Sequence, residues 1–309
     1  MKINPSTQIN LFEHQEIFNQ LYKLYKKDNL PNKILLSGEK GIGKSTLAYH
    51  LINFVLSENE EYTYDYENKK INPENKSYKL IQNKSNPNFY LIDVKEDKKN
   101  IDINQIRELI INLNKSSLNK KKRFVLIDNI ELLNLNSINA LLKILEEPNE
   151  NINFILINNN KRILPTLKSR CLNFKVFLTK DQSIRIVNQL LNDDINSFIN
   201  NSLFDYYITP GKILKLISLS EEYKLNFANF DLDTTLRKII KNKIYKKDKS
   251  IIEIIYSFIE LYFRNNISIK NISLIESYHY FLEKINNTKI YNLDEETLFM
   301  EFEDKILNE

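Results

Sequence analysis

Three of the chain's four glycines fall within Gly38-Glu39-Lys40-Gly41-Ile42-Gly43-Lys44-Ser45, which reads G-x-x-x-x-G-K-S and runs on into Thr46-Leu47-Ala48. Average usage would give about 7% glycine, roughly twenty residues in a chain this long, so glycine has been given up almost everywhere else. A loop that wraps a polyphosphate aims backbone N–H groups inward and takes φ/ψ values that a Cβ disfavours, and glycine meets both demands. The pattern then places Lys44 to reach β- and γ-phosphates and the Ser45 hydroxyl to ligate Mg²⁺, with Thr46 beside them.

The flanks supply the context such a loop requires. Ile34 to Ser37 is a short apolar run suited to a buried strand, and Ser45 to Leu56 has Leu47, Ala48, Leu51, Ile52 and Val55 at helical spacing. A helix starting at the loop adds unpaired N–H groups and a positive dipole end to an anion site. Gly38, Gly41, Gly43, Lys44, Ser45 and Thr46 are therefore the expected nucleotide contacts, with ATP or ADP and Mg²⁺ as cofactors.

The rest of the chain extends the alternation. Periodicity predicts a helix over 11–24, a strand over 89–94, a helix over 102–113, and a strand over Phe124–Asp128. A helix over 136–147, stopped by Pro148, and a strand over 154–157 ending in Asn158-Asn159-Asn160 follow. Apolar strands alternating with helices predict an α/β fold with a doubly wound parallel sheet. Asp128, closing an apolar strand downstream of the loop, sits where Mg²⁺ is held. The acidic, Asn-rich stretch 57–79 reads as a metal-free surface excursion dispensable for folding. From Thr179 onward helix prevails, with Pro210-Gly211 as the one strong interruption, so two smaller helical units are expected.

Composition limits the partners and the compartment. A net charge of +4 is too small by itself to argue for nucleic acid. The single cysteine, Cys171, excludes an intramolecular disulfide and any cysteine-rich metal site, and fits a reducing compartment. Residues 1–20 lack a signal-peptide core and no run of about eighteen apolar residues occurs. A cytoplasmic protein without a membrane span is expected.

Three segments taken together resemble the clamp-loader AAA+ subunits of bacterial DNA polymerase III, the delta-prime subunits most closely. They are Leu36 to Ala48, Asn139-Ala-Leu-Leu-Lys-Ile-Leu-Glu-Glu-Pro148, and Leu164-Pro-Thr-Leu-Lys-Ser-Arg-Cys171. The likeness covers residues 8 to 178; the helical remainder resembles the family by architecture and length. It implies a P-loop AAA+ domain over 1–178, a helical lid over 179–219 and a helical collar domain over 220–309. It also implies partners: gamma/tau and delta subunits in a hetero-pentamer, a sliding clamp and primer-template DNA. In that family Arg170 would be a trans arginine finger facing a neighbour's γ-phosphate; a surface arginine–carboxylate pair is the other reading. Asn158 at a strand end and Lys212 after Pro210-Gly211 match positions that sense nucleotide, although a lysine there can equally be solvated. The basic runs Lys120–Arg123 and Arg237–Lys249 either track DNA phosphates or are ordinary exposed charge.

The departures from the family are informative. Its hydrolysing subunits carry an acid directly after the strand-end aspartate, where this chain has Asn129, with Glu131 the next acid. An amide cannot act as a general base. The family's four zinc cysteines are missing, so no zinc is expected. The resemblance therefore implies a delta-prime-like stator with weak or no ATPase of its own inside the polymerase holoenzyme. A hydrolysing gamma/tau-type subunit and a stand-alone AAA+ ATPase remain the alternatives.

Overall fold

The computed structural model describes residues 4–95, 98–115, 121–146, 151–204, 208–267 and 272–308. Lys120, where the first basic run starts, and Glu147 and Pro148, the expected end and stop of a helix, lie outside the described residues. Contacts divide the chain into two compact units, Lys2–Ile186 with Thr209–Gly211, and Val187–Ile208 with Lys212–Glu309.

The first unit holds a five-stranded sheet. Its elements run α1 (Gln15–Lys26), β1 (Lys33–Ser37), α2 (Lys44–Leu56), α3 (Lys76–Gln82), β2 (Phe89–Ile92), α4 (Ile103–Leu113) and β3 (Arg123–Ile127). They continue with α5 (Leu135–Glu146), β4 (Ile152–Asn158), α6 (Pro165–Lys168) and β5 (Leu172–Lys175). The strand order is β2-β3-β4-β1-β5 and every pairing is parallel, as the alternation predicted. Strands β3 and β4 are buried along their whole length, which is why their sequences are nearly continuous apolar runs rather than alternating ones. On one face Leu35, Val125, Ile127, Phe154 and Leu156 pack with Ile106 and Leu109 of α4 and Leu141 and Leu145 of α5. Asp102 starts α4 with a capping box closed by Gln105, satisfying donors that the first turn leaves unpaired.

Register aligns the functional strand ends. Ser37 of β1 lies opposite Asn158 of β4, and Ile127 of β3 opposite Leu156 of β4 and Ile92 of β2. The residues that follow β1, β3 and β4 therefore emerge along one edge of the sheet. Strand β5 was not predicted. It is four residues long at the sheet edge, with Leu172 and Lys175 exposed, so no apolar run announces it.

The stretch 57–79 is only in part the expected excursion. Most of it is exposed, as expected of a surface excursion, but Ser57, Tyr64, Lys69, Ile71, Asn75 and Ser77 are buried and anchor it. The Tyr64 ring stacks on Phe18 of α1 at 5.3 Å, and Tyr66 on Tyr22 at 3.9 Å. Polar residues that read as solvent-facing are instead tied to the fold. Asn75 Oδ1 accepts from Asn53 Nδ2 at 3.1 Å while Asn75 Nδ2 donates to the Tyr62 carbonyl at 2.7 Å, and Ser77 Oγ donates to Glu60 at 2.6 Å. Hydrogen bonds within the segment and to Asn53 of α2 replace hydration of these groups.

His50 of α2 belongs to the same junction. It is fully buried, its Nε2–H donating to the Gln8 carbonyl at 3.1 Å and its Nδ1 accepting from the Tyr64 hydroxyl at 2.9 Å. Burial pushes its pKa down to about 4, whereas an unfolded histidine titrates near about 6.5. Between those values the unfolded chain binds the proton. The contribution is therefore complete above about pH 6.5 and is lost as pH falls toward 4, by up to about 3 kcal/mol. Thermal midpoints should drop across that window, and less steeply in His50→Gln; parallel profiles for the two proteins would remove His50 as the cause.

The second unit is helical, with the last five residues of α7 (Lys180–Leu191) and the greater part of α8 (Pro210–Glu222), then α9 (Leu232–Lys241), α10 (Ile244–Lys247), α11 (Ile252–Asn266), α12 (Ile272–Tyr291) and α13 (Glu295–Phe302). Its core is rich in phenylalanine. Phe263, Phe281 and Phe302 meet mutually, Phe281 and Phe302 edge-on at 5.2 Å, a favoured geometry for ring quadrupoles. Asp231 and Asp294 cap α9 and α13 by accepting from Thr234 and Thr297 N–H.

Outside the glycine loop, the left-handed turns among the described residues are built without glycine. Among the described residues ten others take a left-handed backbone, mostly lysine and asparagine, all with φ between 50° and 58°. Gly41 and Gly43 stand apart at 87° and 92°.

Candidate nucleotide site at the strand ends

The glycine loop joins β1 to α2, and its backbone explains its residues. The φ values of Gly41 and Gly43 lie beyond the left-handed well that residues with a Cβ reach, about 50–70°. Gly43 is the N-cap of α2, so the loop delivers the free N–H groups of that helix to its own concavity. Gly38 is required by crowding: a Cβ there would lie 2.2 Å from the Val176 carbonyl oxygen. The fourth glycine proves to belong to the same place. Gly211 N–H donates to the Gly41 carbonyl at 2.9 Å, and a Cβ on Gly211 would lie 2.7 Å from Gly41 Cα. His14, buried at the N-cap of α1, donates from Nε2 to the Ile42 carbonyl at 2.6 Å, and burial lowers its pKa. Neither Gly211 nor His14 carries a motif signal near the loop, so pattern reasoning assigned neither to it.

Lys44 and Ser45 occupy the first turn of α2, with Thr46 next. Lys44 is buried and folded back, Nζ donating to the Gly38 and Glu39 carbonyls at 2.9 and 2.5 Å. Burial depresses its pKa to about 8, against the opposing charges of Asp128, Glu131 and Glu39. The Ser45 hydroxyl donates to Asp128 Oδ2 at 2.6 Å, so β3 brings its terminal carboxylate to the loop as the sequence implied. Burial raises the pKa of Asp128, and the nearby Asp93 carboxylate adds to the rise.

These groups fit a Mg-nucleotide. Adjacent oxygens of octahedral Mg²⁺ stand about 2.9 Å apart for bonds of 2.0–2.1 Å, close to the Ser45–Asp128 spacing. A partly desolvated lysine bonded only to carbonyls is ready to exchange them for phosphate oxygens, which are stronger acceptors. Bound nucleotide would supply the polyphosphate that Lys44 and the loop N–H groups neutralise. Among the described residues no group of three or more His, Cys, Asp or Glu is arranged to hold a metal by itself.

The remaining expected residues separate. Asn158 lies at the end of β4, but its side chain closes its own turn, Nδ2 donating to the Lys161 carbonyl at 3.0 Å. Its neighbour Asn159 reaches the site side, donating to Asn129 Oδ1 at 2.7 Å and Glu131 Oε1 at 2.9 Å. Three successive asparagines left the choice undecidable by pattern. Arg170 follows α6, and its guanidinium pairs with Glu146 at 2.6 Å and donates to the Thr166 carbonyl at 2.9 Å. Both partners are substantially exposed. Lys212 belongs to the second unit, in the first turn of α8. Among the described residues, three of the seven basic residues of the second run are ion-paired, Arg237 with Asp233, and Lys243 and Lys246 with Glu296. No helix among the described residues is long and apolar enough to cross a membrane.

Comparison with known proteins accords with this geometry. Residues 13–179 match the model of the family described as DNA polymerase III, delta subunit. A Pseudomonas aeruginosa protein named DNA polymerase III subunit delta' is 33% identical over 138 residues, covering 44% of this chain and 40% of that protein. A Buchnera aphidicola protein named DNA polymerase III subunit gamma is 30% identical over 216 residues, 68% of this chain and 56% of the relative. A Bacillus subtilis subunit delta' is 30% identical over 178 residues, 56% and 51% of the two chains. The chain thus spans about half the length of the curated relatives it matches.

Proposed function

Because the chain belongs to the DNA polymerase III, delta subunit family, we propose that it is a delta-prime-like subunit of a bacterial clamp loader, holding ATP or ADP with Mg²⁺ without efficient turnover. It would work in the cytoplasm in DNA replication, beside gamma/tau and delta subunits in a hetero-pentamer that places a sliding clamp on primed DNA. The observation that carries this reading is the juxtaposition of Lys44, Ser45 and Asp128 around the glycine loop, with an amide at Asn129. The first three suit binding; the fourth cannot take a proton from water. Residues 1–178 would be the P-loop domain, 179–219 the lid carrying Lys212, and 220–309 the collar.

Arg170 is proposed to reach a neighbouring subunit's γ-phosphate. Its bond to Glu146 does not oppose this, since an exposed ion pair is worth about 0–1 kcal/mol. The gamma-type relative and the complete loop favour a second reading, a hydrolysing subunit. Purified chain with Mg·ATP separates the two. Binding without turnover, together with co-purification with gamma/tau and delta subunits, is expected; a rate on the order of 1 s⁻¹, ordinary for an enzyme, would assign the motor role instead.

A further inference from the structure

The ends of β2, β3 and β4 are cross-linked by side chains that no motif describes. Asn129 has a left-handed backbone with φ 55° and is held at three points. Its N–H donates to Asp128 Oδ1 at 2.8 Å, its Nδ2 donates to Asp93 Oδ1 at 2.8 Å, and its Oδ1 accepts from Asn159 Nδ2 at 2.7 Å. Asn159 in turn donates to both oxygens of Glu131, from its backbone N–H at 3.2 Å and from Nδ2 at 2.9 Å. Asp93 Oδ1 also accepts from Val94 N–H at 2.7 Å.

A side chain that donates to Asp93 while accepting from Asn159 through one planar head is an amide or a neutral carboxylic acid, and the amide alone does so without holding an extra proton. A carboxylate at 129 would set two like charges at hydrogen-bond distance, where one of them cannot stay ionised. Of the other acids at these strand ends, Glu131 is engaged through both oxygens and Asp93 is turned toward β3. We propose that Asp93 fixes residue 129 as an amide and thereby keeps a proton acceptor out of the water position beside Asp128. This deepens the proposal of binding without turnover and rests on it. Hydrolysis would bond a water oxygen to the γ-phosphorus and break the bond from that phosphorus to the β–γ bridging oxygen. ADP would leave with the electron pair, and the water proton would need a base that position 129 does not offer.

The test is the cycle Asp93→Asn, Asn129→Asp and the double exchange in the full chain, with Lys44→Ala as the hydrolysis blank. Asn129→Asp alone should melt roughly 2–4 °C below wild type and hydrolyse Mg·ATP no faster. The double exchange restores the bond with its polarity reversed. It should regain the wild-type midpoint and hydrolyse at least about tenfold faster than wild type, a floor set below the roughly 10²–10⁴-fold that a well-positioned base contributes. Asp93→Asn alone supplies no base at position 129 and should not raise turnover above wild type. Midpoints that merely add, a single Asn129→Asp as active as the double, or a double no faster than wild type would each overturn the proposal. A fluorescent ATP analogue measured in parallel keeps the two readings apart: failure of wild type to bind sinks the nucleotide site, while additive midpoints sink the pair.

Discussion

Lys44→Ala is expected to lower nucleotide affinity by about 10²-fold or more while leaving the protein folded. A lysine meeting two phosphate oxygens forms charge-assisted bonds worth about 1.5–3 kcal/mol each, and alanine forms neither. The fold should tolerate the change because burial already disfavours the Lys44 cation; its removal relieves a desolvated charge and releases two carbonyls. The wild-type protein carries an internal check. With its pKa depressed to about 8, Lys44 is charged below that pH and neutral above it. Affinity should be flat up to about pH 8 and then weaken by about tenfold per unit. Titration with a fluorescent ATP analogue at constant Mg²⁺ measures both effects, and equal affinity at pH 7 and pH 9.5 would mean that Lys44 does not hold the phosphates.

Arg170→Ala should have its effect elsewhere. The variant is expected to fold and to bind its own nucleotide as wild type does, since the lost contact is an exposed pair with Glu146. In a complex assembled with gamma/tau and delta subunits, hydrolysis should fall. A trans arginine finger is worth about 10³–10⁵ in rate at one site, diluted in the assembly by sites that keep their own. Arg170→Lys retains charge but not the planar fork and should rescue poorly. Wild-type hydrolysis by an assembled Arg170→Ala complex, with clamp and primed DNA present, would make the Glu146 pair the whole role of this residue.

What could be read from the chain follows from which interactions are local. Strands β1, β3 and β4 were legible because burial on both faces writes itself as an unbroken apolar run. That Lys44, Ser45 and Asp128 would be neighbours was legible because the glycine spacing of the loop and a strand-end acid fix their order, and the Ser45 hydroxyl does bond Asp128. Strand β5 was not, being short and half exposed at an edge. The docking of 57–79 was missed because its anchors, Asn75, Ser77 and Glu60, are residue types that usually face water; only their partners in space reveal them. The same holds for Gly211 and His14 at the loop, and for the Asp93–Asn129–Asn159–Glu131 chain, whose members lie on three strand ends. Periodicity reports which face a residue turns to the core, and says nothing about which distant residue it meets.

The contrast between the ten left-handed turns and the four glycines bears on how such a composition arises. Lysine, asparagine and isoleucine are encoded by codons rich in A and T, and glycine by codons that begin with two G's, so a coding sequence biased toward A and T would lose glycine along with other residues of G- and C-rich codons. At an exposed turn the erosion is tolerable: a lysine or asparagine with φ near 50–58° sits inside a well it can occupy for roughly 1–2 kcal/mol. At Gly41 and Gly43 no such well exists, and at Gly38 and Gly211 a Cβ would strike backbone atoms. Under that pressure the last glycines of a chain mark the positions where geometry cannot yield. In this protein all four mark one loop, Gly211 among them although it lies about 170 residues downstream, so in AT-biased proteins the residual glycines themselves serve as a map to the site.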